Sequence, residues 1–384
     1  MTRAVVIGAG VGGLAAGVAL QRRGWEVAVL ERADAPAEVG AGLVVAPNAL
    51  RALDVLGLGE GVRAASALQG AAGIVRADGR WISRTSAEAA AARYGAPTVA
   101  LHRAALVDLL AGALAPGTLQ LGVTVTGVTQ DGGAEDGAGG SVSVAVQGEE
   151  VPADLVVAAD GIDSAVRRAL FPGHGGARYT GVTSWRIVVP PGAAPVLPVE
   201  TWGDGRVFGT AVLGDGRIYC YASAPAPEHE RAADERAELL RLFGSWHAPI
   251  PQLIAAADRV LRTDIRCLDT PPPAFHVGRV ALLGDAAHAM TPNLGQGGCQ
   301  AIEDAVVLAA YAGRPGGLER YTAERLARTS AVAAASRRVA RVSGLAHPVA
   351  VFARNTAMSV AGLLGPGAVL RQMDPVLGWR PPAG

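Results

Sequence analysis

Four short runs of apolar residues have the pattern of strands that are buried on both faces of a parallel sheet. They cover residues 4–7, 27–30, 155–159 and 280–283. A glycine-rich turn and a helix with one apolar face separate the first run from the second, which makes a complete βαβ unit within about thirty residues. The pattern therefore predicts an α/β domain with a Rossmann-like parallel sheet.

Between about residues 179 and 266 the pattern changes to alternating apolar and polar positions, which is typical of strands with one buried face. Prolines and two Gly-Asp-Gly turns connect these strands. We therefore predict a mostly antiparallel sheet inserted into the α/β domain, so that the fold is α/β, or α+β overall. The predicted boundaries are 1–72, 100–178 and 275–345 for the discontinuous Rossmann-like domain, 73–99 and 179–274 for the inserted domain, and 346–384 for a C-terminal helical segment.

Helical periodicity predicts helices over 47–57, 101–114 and 298–311. The most apolar stretch, residues 346–364, is interrupted by Arg354 and Asn355, which favours a packed amphipathic helix over a membrane span. Residues 131–140 are rich in Gly, Asp and Glu and are predicted to form a solvated hairpin loop.

Composition excludes several classes of protein. The 384 residues include 34 Lys and Arg against 34 Asp and Glu, so no net field favours nucleic acid or an acidic membrane. Cys220, Cys267 and Cys299 are far apart, which argues against disulfides or a metal site. We expect a cytoplasmic monomer or homodimer that binds no nucleic acid, membrane or metal.

The turn after the first predicted strand is the first candidate for chemistry. It contains Gly8, Gly10 and Gly13 in the spacing GxGxxG, and Glu31 ends the next strand. Such glycines allow a tight turn, a close approach of a pyrophosphate, and close helix–strand packing, while the acidic residue can bind ribose hydroxyls. Because a carboxylate repels a 2′-phosphate, the turn is expected to bind NAD or FAD, and it does not distinguish them.

Two later motifs favour FAD. Asp160 follows the strand at 155–159, and Asp285 follows the strand at 280–283. A glycine-flanked helix start at 295–298 comes next. A strand-end aspartate can accept hydrogen bonds from a polyol, and free N–H groups at a helix start favour a developing anion. A ribityl chain ending in a flavin that becomes anionic on reduction needs this pair.

Together these motifs resemble the three flavin fingerprints of the single-component (group A) FAD-dependent aromatic hydroxylases, especially compact members such as urate, salicylate and 3-hydroxybenzoate hydroxylases. The motifs are Gly-Ala-Gly-Val-Gly-Gly-Leu, Ala-Asp-Gly-Ile-Asp-Ser and Gly-Asp-Ala-Ala-His…Gly-Gln-Gly-Gly-Cys. The resemblance implies that FAD is bound by Gly8, Gly10, Val11, Gly12, Gly13, Glu31, Arg32, Val44, Arg103, Val125, Asp160, Asp285, Gly295, Gln296, Gly297, Gly298 and Cys299.

Arg103 has a physical argument of its own. It lies in the first turn of a predicted helix, where the helix dipole disfavours a cation by about 0.3–1 kcal/mol, so it is expected to reach an anion. On the substrate side, Tyr219 lies on the polar face of a predicted strand. The resemblance to urate hydroxylase implies that Arg206 and Tyr219 contact substrate, and that Arg186 lines the substrate cavity. Ordinary surface positions on strands are the alternative for each.

Two other residues invite a catalytic interpretation. His288 stands beside the predicted flavin-binding Asp285, where a structural hydrogen bond is the favoured role. Cys299 stands at a helix start, which lowers the pKa of a thiol, but packing under a cofactor is the favoured role. No catalytic base is identified.

The resemblance implies an activity in which NAD(P)H reduces FAD, and a flavin hydroperoxide formed with O2 hydroxylates an electron-rich aromatic molecule. NADH and NADPH remain alternatives. A related epoxidase or N-hydroxylase and a non-catalytic FAD-binding protein are the other hypotheses. A flavin halogenase is disfavoured because residues 184–189 lack the Trp-x-Trp-x-Ile-Pro pattern.

Overall fold

The computed structural model describes residues 2–35, 42–68, 71–130, 141–363 and 365–382. The hairpin loop that the sequence predicts at 131–140 lies outside the described residues. Within them, the strands are β1 (Arg3–Ile7), β2 (Glu26–Leu30), β3 (Gly42–Val45), β4 (Ala67–Leu68), β5 (Ala71–Arg76), β6 (Trp81–Ser86), β7 (Val99–His102), β8 (Leu119–Gln120), β9 (Val125–Gln130), β10 (Val142–Val146), β11 (Glu149–Ala153), β12 (Leu155–Ala158), β13 (Arg178–Val189), β14 (Val199–Trp202), β15 (Val207–Val212), β16 (Ile218–Pro225), β17 (Val260–Cys267), β18 (His276–Val277) and β19 (Val280–Leu282).

The helices connect these strands and form the C-terminal part of the described chain. They are α1 (Val11–Gln21), α2 (Pro47–Val55), α3 (Gly59–Ala64), α4 (Ala87–Tyr94), α5 (Arg103–Gly112), α6 (Ala165–Leu170), α7 (Glu235–Phe243), α8 (Ile250–Ala255), α9 (Asp285–His288), α10 (Gly297–Tyr311), α11 (Gly317–Ser343), α12 (Pro348–Gly362), α13 (Pro366–Gln372) and α14 (Asp374–Leu377). A 3-10 turn at Pro292–Leu294 precedes α10.

The predicted parallel sheet is present, in the strand order β18-β19-β12-β1-β2-β8. All neighbours are parallel except β18 and β19. The four predicted apolar runs supply its central strands, and their side chains are almost fully buried. Because parallel strands end at one edge of the sheet, the segments that follow β1, β12 and β19 come together there.

The inserted sheet has seven strands in the order β17-β13-β16-β15-β14-β5-β6. Neighbours are antiparallel apart from β14 and β5. One face, which includes Trp185 and Ile187, packs against Phe243 and Leu253 of α7 and α8. Strand residues of the other parity form the opposite face, which we call the cleft face. The α/β fold with an inserted, mostly antiparallel sheet is therefore confirmed.

The C-terminal helix α12 packs in a way that its sequence does not suggest. It buries Arg354 and Asn355, whereas Phe352 is 72% exposed. Arg354 donates to the carbonyl oxygens of Ser343 (3.3 Å) and Gly203 (3.1 Å), so its charge is anchored inside. The predicted helix is present, but it buries Arg354 and Asn355 and leaves the apolar side chain of Phe352 exposed. No helix in the described part of the chain combines the length and apolarity that a membrane span requires.

Candidate functional site

The glycine-rich turn between β1 and α1 has little space for side chains. Gly8 has φ +100°, and a Cβ there would lie 2.5 Å from the carbonyl oxygen of Ala159. A Cβ at Gly13 would lie 1.9 Å from the carbonyl oxygen of Gly8. A Cβ at Gly10 would meet no heavy atom within 4 Å. Gly8 and Gly13 are therefore required by the protein itself, whereas Gly10 leaves the start of α1 open to a ligand.

The carboxylate of Glu31 stands beside this turn. Its Oε2 accepts from the backbone N–H of Ala9 (2.8 Å), and its Oε1 accepts from that of Ala33 (3.0 Å). These bonds hold the carboxylate at the end of β2, where a ribose can reach it. Arg32 is exposed next to it, and the half-buried Val125 begins β9.

Asp160, which follows β12, points one carboxylate oxygen at the protein and keeps the other free. Its Oδ2 accepts from the N–H groups of Ala165 (2.9 Å) and Val166 (3.3 Å) at the start of α6. Its Oδ1 is buried and has no hydrogen-bond partner among the described residues. Leaving a buried acceptor unpaired costs about 1–3 kcal/mol, so this oxygen fits a site that receives a ligand donor.

Arg167 is a residue of the site that the sequence did not reveal. It is almost fully buried, and it donates to the carbonyl oxygens of Ala286 (2.8 Å) and Ile162 (2.6 Å). Burial lowers its pKa, and attraction by Asp160 opposes that effect. The guanidinium therefore ties the segment after β12 to the segment after β19. One arginine in a short helix carries no pattern by which sequence inspection could find it.

Asp285 and the start of α10 face one another. Asp285 is exposed at the start of α9, and its Oδ1 lies 4.0 Å from the position of a Cβ on Gly297. Gly298 follows in the first turn of α10, against the side chain of Leu43. The strand-end carboxylate thus stands next to the unpaired N–H groups of a helix start, as the predicted ribityl and flavin site requires.

Hydrogen bonds between buried side-chain amides stabilise the turn before α10. Gly295 has φ +62°, and Gln296 is almost fully buried. The Oε1 of Gln296 accepts from the side-chain amide of Asn48 (2.9 Å) and from that of Gln300 (3.1 Å). The side chain of Gln296 is therefore used by the protein, which leaves its backbone for a ligand.

Cys299 and His288 both make buried contacts with the protein, which fit the structural roles favoured for them. The thiol of Cys299 lies 3.7 Å from the carbonyl oxygen of Val44 on β3, and burial raises its pKa to about 12. This effect outweighs that of the helix start and disfavours the thiolate that a nucleophile requires. His288 is buried, and its Nε2 lies 2.6 Å from Oδ2 of Asp304.

Strand β3 lies between the start of α10 and the inserted sheet. On one side, the carbonyl oxygen of Val44 contacts the thiol of Cys299. On the other, a Cβ at Gly42 would lie 2.4 Å from the ring of Tyr219 on the cleft face. Glycine at this position lets the tyrosine ring lie directly against the strand. The cleft face therefore borders the predicted flavin site.

Arg103, Arg186 and Tyr219 are brought together with Asp285. Arg103 is accessible and is the first residue of α5, which begins two residues later than the helix predicted over 101–114. Burial of its guanidinium by the surrounding protein lowers its pKa, Asp285 opposes this effect, and Arg186 adds to it. Burial raises the pKa of Tyr219, whereas Arg186 and Arg103 oppose that shift. We call the region between these side chains the cleft. Arg103 on α5 and Arg186 on β13 give it positive charge.

Arg206 is not part of this group, which corrects the prediction that it contacts substrate. Its guanidinium pairs with Asp204 (2.8 Å) and donates to the carbonyl oxygen of Leu242. It also lies 5.9 Å and 5.8 Å from the ring centroids of Phe243 and Trp246. These contacts place it on the helix-covered face of the inserted sheet, opposite Tyr219. The sequence resemblance places Arg206 near the correct strand but on the wrong face.

Comparison with known proteins agrees with this geometry. A model of the FAD binding domain family matches residues 1–336. An aurachin C monooxygenase/isomerase from Stigmatella aurantiaca is 42% identical over 92% of this chain and 93% of its own length. An FAD-dependent urate hydroxylase from Klebsiella pneumoniae is 33% identical over 80% of each chain. The crystal structure of Klebsiella pneumoniae HpxO complexed with FAD and uric acid superposes with a TM-score of 0.88 at 30% identity, over 100% of this chain and 98% of that one.

The chain therefore belongs to the FAD binding domain family, and its resemblance to the group A FAD-dependent aromatic hydroxylases is confirmed. It is an FAD-dependent monooxygenase.

Proposed function

We propose that this monooxygenase uses NAD(P)H and O2 to hydroxylate an electron-rich aromatic small molecule bound in the cleft. The observation that carries the proposal is the position of Asp285, which lies beside the start of α10 and within electrostatic range of Arg103. A flavin on the Asp285 side would face the polar residues Arg186 and Tyr219 of the inserted sheet. This arrangement suits an aromatic substrate that carries negative charge or acidic hydroxyls.

The residues present fit FAD. The open turn at Gly10 and the carboxylate of Glu31 would hold the ADP half, and the unpaired Oδ1 of Asp160 can accept a ligand donor. Asp285 would bind the ribityl chain, and the N–H groups at the start of α10 would favour the anionic reduced flavin. When bound, FAD supplies the redox chemistry by accepting hydride from NAD(P)H and activating O2.

The substrate residues have separate tasks. Arg103 and Arg186 would orient an anionic or phenolic group, because a guanidinium binds oxygen anions in a fixed geometry. The ring of Tyr219 would pack against the substrate ring. The cleft must also exclude water from the reacting atoms, and the close packing of Gly42 against Tyr219 would serve this on the side of β3.

The decisive experiment is a screen of aromatic compounds with purified FAD-loaded protein. We expect the flavin absorbance to bleach with NADH or NADPH, faster when a substrate is present, and the product to have gained one oxygen atom on a ring carbon. A product with oxygen across a double bond or on nitrogen would identify an epoxidase or N-hydroxylase instead. Flavin that neither nucleotide reduces would indicate a non-catalytic FAD-binding protein.

Replacement of Asp285 tests the ribityl assignment. In Asp285→Ala the ribityl hydroxyls lose a charged acceptor, which is worth about 1.5–3 kcal/mol, so the Kd for FAD should rise roughly 10- to 100-fold. Fluorescence titration of FAD into the FAD-free protein measures this. Asp269→Ala, which removes an exposed aspartate paired with Arg178, is the control and should leave the Kd unchanged. An Asp285→Ala protein with wild-type FAD affinity would refute the assignment.

Replacement of Arg206 tests the correction made above. Because Arg206 stacks on Phe243 and Trp246, Arg206→Ala should lower the free energy of unfolding by about 1–2 kcal/mol. Its FAD content and apparent substrate affinity should stay at wild-type values, whereas Arg186→Ala should weaken substrate binding. Urea unfolding and steady-state kinetics measure the two effects. A raised KM in Arg206→Ala with unchanged stability would restore the original prediction.

A further inference from the structure

The exposed side of α12 is apolar along the whole helix. Val349, Phe352 and Val360 are 69%, 72% and 59% exposed, and Leu363, directly after the last residue of α12, is 84% exposed. At about 100° per residue, these four side chains lie within about 80° of one another around the helix axis. We call them the apolar strip of α12. Single exposed apolar residues are common, but a contiguous strip of large ones marks an interaction surface.

The opposite side of α12 holds this strip outward. Arg354 and Asn355 are buried there, and Nε of Arg354 donates to Oδ1 of Asn355 (3.0 Å). Arg354 also donates to the carbonyl oxygens of Val342 and Ser343 at the end of α11, both at 3.3 Å. A helix on a protein surface ordinarily buries its apolar side. Because rotation of α12 to do so would break these hydrogen bonds, the apolar strip is fixed on the surface.

A groove of about 580 Å³ lies beside the apolar strip. Phe352 and Val360 of α12 line it together with Arg80 and Trp81 from the start of β6. The indole of Trp81 is half-buried, and the guanidinium of Arg84 lies over its ring at 4.4 Å. Tryptophan is favoured at the boundary between acyl chains and water, since its ring is apolar and its N–H is polar. The groove therefore widens the apolar surface and adds cations at its edge.

The charges that accompany the apolar strip are mainly positive. Residues 325–373 contain seven arginines and no lysine, aspartate or glutamate. Arg341 in the last turn of α11 is exposed, and so is Arg371 on α13, which packs against α12. Both ends of α12 are therefore followed or preceded by an exposed cation.

The carboxylates near the groove are already paired with arginines. Asp78 is shared by Arg76 (3.5 Å) and Arg80 (4.0 Å), and Asp204, which lines the groove, pairs with Arg206 (2.8 Å). The surface thus carries an excess of positive charge. The zero net charge of the whole chain conceals this uneven distribution.

This charge distinguishes between two occupants of the apolar strip. If a second copy of the chain packed its α12 against this one, parallel or antiparallel, the arginines at the helix ends would approach one another, and like charges repel. An anionic bilayer surface instead offers acyl chains to the apolar side chains and negative headgroups to the arginines. Charge complementarity therefore favours a lipid surface.

We propose that α12 and the start of β6 dock this protein on the surface of an anionic phospholipid bilayer. The helix lies in the plane of the interface, with Phe352 and Leu363 among the upper parts of the acyl chains and Arg80 among the headgroup phosphates. The helix does not cross the bilayer, so the attachment is reversible. Docking involves neither Asp285 nor Arg103, and it does not depend on the proposed function.

Sedimentation with vesicles tests the docking on the FAD-loaded protein. One set of vesicles contains phosphatidylcholine with about a quarter phosphatidylserine, and the other contains phosphatidylcholine alone. Wild type should sediment with the anionic vesicles. Its partition coefficient should be at least about tenfold lower on the neutral ones, because each arginine near an anionic surface contributes about fivefold. Salt at about 0.5 M should weaken binding to the anionic vesicles, because it screens these charges.

Substitutions in the surface should reduce binding without affecting the fold. Phe352→Asp should lower the partition coefficient on anionic vesicles by at least about tenfold, because a carboxylate that the headgroups repel replaces an apolar ring. Arg80→Ala should lower it about fivefold. Val55→Asp is the matched control, since Val55 is 43% exposed on α2 and belongs to neither the apolar strip nor the groove. It should bind as wild type does, and all three variants should keep wild-type FAD content and urea midpoint without lipid.

Brominated lipids locate the contact. Bromine on the acyl chains quenches tryptophans that reach them, so anionic brominated vesicles should quench part of the wild-type emission and much less of the emission of Trp81→Phe. Equal quenching of the two proteins would place the contact elsewhere and overturn the proposal.

Three sedimentation results would also overturn the docking. They are wild type that stays in solution with both vesicle sets, equal partition on the two sets, and wild-type partition of Phe352→Asp. If wild type ignored vesicles but were a dimer in analytical ultracentrifugation, and Phe352→Asp were a monomer, the apolar strip would belong to an interface between two copies of the chain and the proposal would be wrong.

Discussion

Gly13→Ala should yield a protein that is destabilised and holds little FAD. The new methyl group would lie 1.9 Å from the carbonyl oxygen of Gly8 and 3.3 Å from Cβ of Ala159, so α1 must move away from β1. Overpacking of this kind costs about 1–3 kcal/mol. Because the start of α1 carries the N–H groups for the pyrophosphate, the same shift should lower FAD occupancy to less than about a tenth of wild type. Urea unfolding and the flavin-to-protein absorbance ratio measure the two effects.

Gly10→Ala provides the matched comparison in the same turn. Gly10 has φ −68° and ψ 176°, which any residue adopts, and its Cβ position has no neighbour within 4 Å. The FAD-free variant should therefore be as stable as wild type. Its methyl group would stand where a pyrophosphate approaches, so FAD affinity should still fall. Equal stability of the Gly10→Ala and Gly13→Ala proteins would contradict this division of roles.

Arg325→Met should destabilise the FAD-free protein by about 3–5 kcal/mol, because it removes the guanidinium that two buried carboxylates share and leaves Glu303 with Arg328 and Asp304 with His288 alone. Arg325 on α11 is 1% exposed, and it donates to Asp304 (2.6 Å), Glu303 (2.6 Å) and Gln300 (2.9 Å). Asp304 also accepts from the backbone N–H of Gly284, immediately before Asp285. Loss of Arg325 should therefore loosen the flavin-binding segment as well.

The pH dependence of stability gives this prediction a second readout. Burial alone would raise the pKa of Asp304, but His288 and Arg325 together lower it to about 2. A lowered pKa means that the stabilisation is present above the ordinary aspartate value and is lost as pH falls towards about 2. In Arg325→Met the pKa of Asp304 should rise, so acid unfolding should begin at a higher pH than in wild type.

Arg320→Met is the control for the charged core. Arg320 lies on the same helix and forms an exposed pair with Glu324 at 3.3 Å. Such a pair contributes little, and the guanidinium also lies over the ring of Tyr311 at 4.4 Å, so the free energy of unfolding should change by about 1 kcal/mol or less. If Arg325→Met changed stability as little as Arg320→Met, the buried network would have no structural importance.

Several features of the nucleotide site could be predicted because their physical causes are local. The glycine spacing at Gly8 and Gly13 reflects contacts within one turn, and Glu31 and Asp285 directly follow strands that are recognisable by their apolar runs. The position of Arg103 in the first turn of a helix follows from helical periodicity in the same way.

Other features depend on which face of an element is covered, and this is decided by distant segments. Arg206 lies on the helix-covered face because α7 brings Phe243 to it. The side chain of Arg354 on α12 is buried because it packs against Trp202 and donates a hydrogen bond to the carbonyl oxygen of Gly203. Alternation along a strand or helix identifies two faces without saying which one meets the cleft.

The sequence by itself determined the class of cofactor and the order of the elements that bind it, since each motif is a short segment whose backbone geometry depends on its own residues. Only the tertiary structure joined Arg167 to Ala286 and Arg325 to Asp304. These partners are separated along the chain and meet through strand order and helix packing. Hydrogen bonds and ion pairs act over a few ångströms of space, so these pairs could be identified only in the assembled fold.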